Sequence, residues 1–552
     1  MKLQSLHTPM AAPRLSRWFR TPAFLLALAA GLIAFIVQSG ELGTSDTQHR
    51  LNAAHALWTS DPPVFPDEYP EFGIHGRAGK LQTWYGIGQP LLMLPADIVG
   101  TGIENLPLFA AYYGTDPSVR NIIVSSSTNI LLAVLTALVA FRLLRRFGFS
   151  ERHAFLGVLA LLVCTTHLHY TQNLMENNYI FLLTLTGFCF EEEWVRTASR
   201  RALLIGAGAL GLNLLTRLTT GLDLLAGILF VLLTLWMEGA RGPVLRTRLK
   251  TYALTAAPIF GFCLLLDRLY QFYRFGSFTN TYLALAAQEA RQQDPALPLN
   301  YPWTTPFHSG FFGALFSPEK SIFLFDPLLI LAILMTALLW KKLIPTVRAY
   351  ALATLLLLVA YISFYARYFV WSGDFAWGDR YVSTAVELAT LLAVPLLLAC
   401  RRRVSRLVWT TGVALVAVSA VVQLASVAFW LSLEEFQMET LGHPTFVIAL
   451  RMKNIVAFAF GKTQAWHLNL PAPDQDAWDT AHITTWNFLP FLLQRVGVAP
   501  VWVLRTTFAV WCAGLAALAG TLWQSARILA RSSFLPDASS KPGPASERGR
   551  PA

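Results

Sequence analysis

Apolar runs recur along the whole of this 552-residue chain, each approaching the roughly 20 residues a helix needs to cross about 30 Å of hydrocarbon. Cations gather in short clusters between them: Arg14, Arg17 and Arg20; Arg142, Arg145, Arg146 and Arg152; Arg196, Arg200 and Arg201; Arg241, Arg246, Arg248 and Lys250; Lys341, Lys342 and Arg348; Arg401, Arg402, Arg403 and Arg406; Arg527 and Arg531. Hydrophobic residues make up 55% of the chain and charged ones 14%, far from the balance of a soluble globular domain. The net charge of +11, from 43 basic and 32 acidic residues, taken alone suggests nucleic-acid binding. Its distribution says otherwise, because cations gathered between apolar runs are the positive-inside signature of a polytopic membrane protein. No nucleic-acid partner is expected.

Twelve spans are expected, at residues 21–38, 122–141, 153–168, 178–190, 202–215, 220–237, 252–267, 321–340, 349–366, 382–399, 407–431 and 504–523. Residues 202–237 are ambiguous, since each half is short for a perpendicular crossing and Arg217 lies between them. Two short helices keep every basic cluster on one side, whereas one long helix would split the clusters between two sides. This topology makes both termini cytoplasmic and leaves the outside acidic. The domain plan is a basic cytoplasmic N-terminus (1–20), a transmembrane body (21–530) and a disordered cytoplasmic tail (531–552) rich in Pro, Ser, Gly and Arg. Residues 38–44 lack a convincing small-residue cleavage site, so the first span reads as a signal anchor. Cys164, Cys189, Cys263, Cys400 and Cys512 all lie in or beside apolar runs and read as small core hydrophobes, not a disulfide or metal framework.

Segments 39–121, 268–320, 367–381 and 432–503 face outside on this plan and are long for mere connections. Their Trp, Tyr, Phe and Pro content points to ordered structure at the membrane interface, with interfacial helices. Within the first, residues 88–99 are apolar but too short to span, and are expected to lie flat or re-enter.

Chemistry is sought in these segments. Asp46 follows the first span ahead of an expected helix over 51–58, and four residues separate it from Arg50, one helical turn. A carboxylate there suits deprotonation of a hydroxyl or metal binding; a helix N-cap by Ser45 or Asp46 is the structural alternative. Residues 73–90 combine turn glycines with His75, Arg77, Lys80, Trp84 and Tyr85, suited to a headgroup phosphate or simply to an aromatic and basic interfacial belt. Glu176 sits alone in a turn and reads first as a solvated acid. Arg217 between two apolar segments is costly unless it meets protein, water or an anion, or snorkels to the interface. Lys320 and Arg380 stand at the mouths of later spans, with Asp379 and Arg380 also readable as a structural pair.

The order of these features resembles the GT-C superfamily of membrane glycosyltransferases that use polyprenyl-phosphate-linked sugars, in particular bacterial multi-pass members related to the protein mannosyltransferase and aminoarabinose transferase group. An acidic residue follows the first span (Asp46), and residues 75–95 are similar to the first loop of bacterial relatives. Residues 215–220 resemble an Arg-Pro-Thr element, 311–327 a Leu-Phe-Ser-Pro element and 377–381 a Gly-Pro-Arg-Tyr element. The chain departs from the pattern in having Thr47 where the family often has Glu, Leu218 for Pro, and Asp379 for Pro.

The resemblance implies an all-α, GT-C-like fold and an inverting transferase with its site at the outer face of the cell (inner or plasma) membrane. The donor is then a polyprenyl-phosphate-linked sugar and the acceptor a lipid, glycan or protein, with membrane lipids around them. Asp46 becomes the general base, with Glu176 placing the acceptor or an ion. Arg77, Lys80, Arg217, Lys320 and Arg380 become the cations for the departing phosphate, and His49, Arg50, Tyr85, Trp377, Asp379 and Tyr381 the substrate pocket. No cofactor is certain, and a divalent metal is left open. A transporter or lipid flippase, and a non-catalytic relative, are the competing readings.

Overall fold

The computed structural model describes residues 21–65, 73–112, 117–374, 376–430, 432–442, 445–466, 485–497 and 499–532. The cluster Arg14, Arg17 and Arg20, residues 533–552 of the expected tail and residues 467–484 of the last long loop lie outside the described residues.

Each of the expected spans meets a helix or two consecutive helices: Pro22–Val37, Val119–Arg146, Glu151–Val163, Asn177–Thr197, Arg200–Asn213, Gly221–Met237, Gly242–Phe275, Ile322–Phe325 with Leu328–Leu339, Pro345–Tyr365, Ser383–Thr390 with Ala393–Ala399, Arg406–Ser426 and Val501–Ser532. Six helical stretches among the described residues are long and apolar enough to cross a membrane unaided, and Pro22–Val37 and Ser383–Ala399 are shorter apolar helices. The chain is an all-α polytopic membrane protein whose only sheet among the described residues is a hairpin, Gly73–His75 against Leu81–Thr83.

Two expected spans are broken, and proline accounts for both. Pro327 ends the Ile322–Phe325 turn before Leu328–Leu339 begins, and Asp326 at that break accepts a 2.7 Å hydrogen bond from the Thr166 backbone N–H. Pro395 lacks the N–H that would close on Leu391, and the chain turns at 391–392.

The bundle packs through small residues, as expected where hydrocarbon gives helices no hydrophobic reason to associate. Ala30 and Ala34 of Pro22–Val37 share a buried cluster with Ala133, Ala137 and Ala140 of Val119–Arg146. Leu131, Leu135 and Leu138 of that second helix, near-helical in spacing, remain exposed for lipid contact.

Charged contacts mark the two ends of the bundle. At one end Arg142 and Arg146 pair with Glu193, Arg146 and Arg196 with Glu192, and Thr346 hydrogen-bonds both Arg196 and Glu238. At the opposite ends of the same helices stand Arg120, Glu176 and Arg217. The Arg217 turn joins Arg200–Asn213 to Gly221–Met237.

Helices at this second end cover the bundle. Ser45–His55 begins six residues earlier than its apolar pattern, because Thr44 and neither Ser45 nor Asp46 is its N-cap, accepting from the Thr47 N–H. That start frees the Asp46 carboxylate from capping. The apolar stretch at residue 88 opens a 17-residue helix, Gly88–Glu104. It is tied down by buried Asp97, which accepts from Trp58 Nε1 at 2.8 Å and Arg120 Nε at 2.5 Å and contacts His55 Nδ1 at 2.9 Å. Arg451 of Val447–Ala459 is fully buried, pairs with Glu434 and donates to the Phe429 carbonyl at 2.9 Å. It thereby satisfies carbonyls just beyond the Arg406–Ser426 C-terminus.

Candidate active site

Asp46 and Arg50 share one face of Ser45–His55 because four residues separate them. Asp46 Oδ1 accepts from the Tyr85 hydroxyl at 2.7 Å and Oδ2 from Arg380 Nη1 at 2.9 Å. Arg50 lies 4.1 Å over the Tyr85 ring and pairs with Glu176, which also pairs with Arg217. Arg217 in turn faces the Tyr381 ring at 5.3 Å, and Tyr381 stacks on Tyr365 with centroids 4.1 Å apart. These groups line a cavity of about 180 Å³, with Trp84, Tyr282, Trp303 and Tyr368 completing its aromatic wall.

Two glycines let its backbone segments meet. A Cβ at Gly86 would strike the carbonyls of Leu215 and Thr216, and one at Gly88 the Thr216 side chain. Gly88 N–H donates to Leu215 O at 2.8 Å. The loop after the hairpin is thus sewn to the turn that presents Arg217.

Seven predicted residues converge here: Asp46, Arg50, Tyr85, Glu176, Arg217, Arg380 and Tyr381. Glu176 is no solvated loop acid; it is 2% exposed and holds two guanidiniums. Arg380 pairs with Asp46 and not with its neighbour Asp379, which turns back to accept from the Tyr381 N–H at 3.1 Å. Burial pushes the Asp379 carboxyl up to about 7 despite nearby Lys320 and Arg380.

Six predicted residues do not line the cavity. His49 is buried off the Asp46–Arg50 face. Arg77 and Lys80 sit on the exposed hairpin turn, Arg77 over the Phe272 ring at 5.1 Å. Trp377 is core, packed edge-on to Phe325 at 5.0 Å and stacked on His169. Asp379 shapes its own turn. Lys320 is buried with its ammonium donating to the carbonyls of Asp374, Ala376 (2.7 Å) and Gly378 (3.4 Å). Those carbonyls belong to a loop with Gly373, Asp374 and Gly378 at positive φ that leads directly into Arg380. A flexible point charge satisfies three converging carbonyls, so Lys320 acts on the cavity through the loop.

Arg274, at the end of Gly242–Phe275, carries little signal in the sequence, since a cation in a helix's last turn is ordinary. It is buried and donates to the Thr83 and Tyr85 carbonyls, the latter at 2.9 Å, fixing the segment that carries Tyr85. Tyr282, Trp303, Tyr365 and Tyr368 were equally hidden among interfacial aromatics.

Burial alone would raise the Asp46 carboxyl, but Arg380, Arg50 and the Tyr85 hydrogen bond outweigh it and bring it down to about 2. Burial first, then Asp46, drive the Tyr85 hydroxyl well above its ordinary value. A depressed carboxyl contributes stability that is complete above its unfolded value and is lost as pH falls through the folded one. The shift from 3.8 to about 2 corresponds to about 2 kcal/mol. Wild type is therefore expected to exceed Asp46→Asn in stability by that order near neutral pH, with the gap closing as acid titration passes from about pH 4 to 2; thermal unfolding in detergent reads it.

Three guanidiniums face two carboxylates in the cavity, a surplus suited to an anion. Arg50 Nη1, Arg380 Nε and Glu176 Oε2 are buried without a hydrogen-bond partner, Glu176 Oε2 meeting Arg50 as an ion pair. Among the described residues no group of three or more His, Cys, Asp or Glu is placed to hold a metal. The oxygens of Asp46 and Glu176 already face arginines, so this donor set does not fit a divalent cation.

Fold and site define a polytopic membrane protein with an arginine-rich, aromatic-walled cavity at one end of its bundle. No protein-family model and no curated protein matches the chain. Among solved structures, the crystal structure of ArnT from Cupriavidus metallidurans bound to undecaprenyl phosphate is similar at a TM-score of 0.37 and 14% identity, over 94% of this chain and 79% of that one. So loose a likeness assigns no family.

Proposed function

We propose that this protein is an inverting membrane glycosyltransferase, moving a sugar from a polyprenyl-phosphate-linked donor to an acceptor hydroxyl at the outer face of the cell membrane. The observation carrying this reading is the convergence of Asp46 with Arg50, Arg217 and Arg380 in one cavity. Supporting it, an apolar groove of about 600 Å³, with Leu218, Leu222, Ala284 and Leu299 in its walls, shares Tyr282, Leu283, Trp303 and Phe364 with that cavity. Donor phosphate at the arginines can then lay its hydrocarbon along the groove. The motif order read from the sequence points to the same donor class.

In the reaction, the acceptor oxygen bonds to the anomeric carbon as the bond from that carbon to the phosphate oxygen breaks. The acceptor proton passes to Asp46, and polyprenyl phosphate departs with its added negative charge held by the guanidiniums. Asp46 is ionised at neutral pH but, at about 2, is a weak base while Arg380 and Arg50 attend it. Donor phosphate competes for those cations and so raises the basicity of Asp46 once the donor is seated.

Purified protein in liposomes, without a gradient, is expected to transfer labelled sugar from a polyprenyl-phosphate donor to an acceptor. Movement of the lipid with no covalent change would support the carrier reading instead. Lys320→Met is expected to lower transfer roughly 100-fold by loosening the loop that aims Arg380, while leaving the protein folded. Steady-state rates beside thermal unfolding check this, and a rate near wild type would show that the loop holds its shape without the ammonium.

A further inference from the structure

The Tyr282–Gln293 helix, capped by Thr281, divides three cavities. Leu283 lines the arginine cavity, the apolar groove and a third chamber of about 270 Å³. Trp84 and Tyr368 form walls of both the arginine cavity and the third chamber, so the two are contiguous. The transferase reading, on which this inference rests, uses the first cavity for phosphate and the groove for hydrocarbon. It leaves the third chamber unassigned.

The chamber's walls are aromatic planes with a polar edge. Trp84, Tyr301, Tyr368 and Phe369 supply the planes, and Glu289 and Gln293 from the dividing helix supply the edge. Glu289 is held in place by the hairpin, its Oε1 accepting from the His75 backbone N–H at 2.9 Å. Aromatic faces pack against the C–H faces of a sugar ring, while a carboxylate and an amide hydrogen-bond its hydroxyls. Glu289 also faces the His75 ring, its Oε2 3.5 Å from Nδ1, so a hydrocarbon tail filling this space would lie against a polar pair that it cannot solvate.

We infer that this third chamber is the acceptor subsite and that it takes a carbohydrate ring, making the acceptor a glycan hydroxyl. The dividing helix then sets acceptor choice. Ala286 and Ala290, one turn apart, line this chamber and neither of the other two cavities, so their small size keeps it open.

The test reads binding without turnover. Full-length protein in nanodiscs is titrated with a panel of neutral oligosaccharides by saturation-transfer NMR, and separately with a long-chain polyprenyl phosphate. At least one oligosaccharide should bind wild type, and Ala290→Phe should weaken it by about tenfold or more while polyprenyl-phosphate affinity stays within about twofold. Glu289→Gln, which leaves the volume unchanged, should weaken the same saccharide several-fold and guards against a folding defect in the first variant. Equal saccharide binding by wild type and both variants overturns the inference, as does absence of saccharide binding to the wild type. Competition between the saccharide and sugar-loaded donor would make the chamber a donor subsite and overturn the acceptor assignment; simultaneous binding supports it. Failure to bind polyprenyl phosphate counts against the transferase reading and leaves the saccharide arm readable.

Discussion

Asp46→Asn is expected to reduce sugar transfer by roughly 10²–10⁴-fold, the range general-base catalysis supplies. The amide preserves the size of the side chain and its oxygen still accepts from Tyr85, but it cannot take the acceptor's proton. It also releases Arg380, whose guanidinium is otherwise committed to Oδ2 at 2.9 Å. Donor affinity should therefore hold or tighten as the rate collapses. Initial rates and donor binding, measured on the same preparation, separate the two. Transfer at the wild-type rate would remove Asp46 from the chemistry and leave it a partner for Arg380.

Glu176→Gln should produce the largest loss of stability, about 3–5 kcal/mol, the usual cost of breaking a buried ion pair from one side. Its carboxylate is nearly fully buried and answers both Arg50 and Arg217. The neutral amide takes from Arg217 its carboxylate partner and leaves Arg50 with only the attraction of Asp46 and the Tyr85 ring. Adding Arg217→Gln removes one of those charges, so the double variant should regain part of the loss, the non-additivity expected of residues sharing one network. Thermal unfolding in detergent measures both. An unchanged midpoint in the single variant would mean that cavity water already screens these cations.

The two ion pairs also bear on the role expected of Glu176. As a free acid it suited placing an acceptor or an ion. With both oxygens against arginines it sets the spacing of the cations, and its effect on transfer passes through them. Lys320 makes the same point: its charge and position at the mouth of a span matched a phosphate ligand. Its three carbonyl partners come from residues 374–378, contacts with no signature in local sequence.

What the sequence determined by itself was whatever depends on solvent and on short range. Apolar length and cation clustering fixed the helical spans, since hydrocarbon leaves backbone polar groups no partner but their own helix. The four-residue step from Asp46 to Arg50 fixed their shared face, and the cost of a lone arginine among apolar residues marked Arg217. Tertiary structure alone decided which cations share an anion. Arg380 reaches Asp46 across 334 positions, whereas Arg77, Lys80 and Lys320, cations in segments with the same expected placement, do not line the cavity. Charge is a property of the residue; the direction in which a charge points is set by the packing of segments far apart in the chain, through contacts such as Gly86 against the Leu215 carbonyl and Arg274 beneath Tyr85.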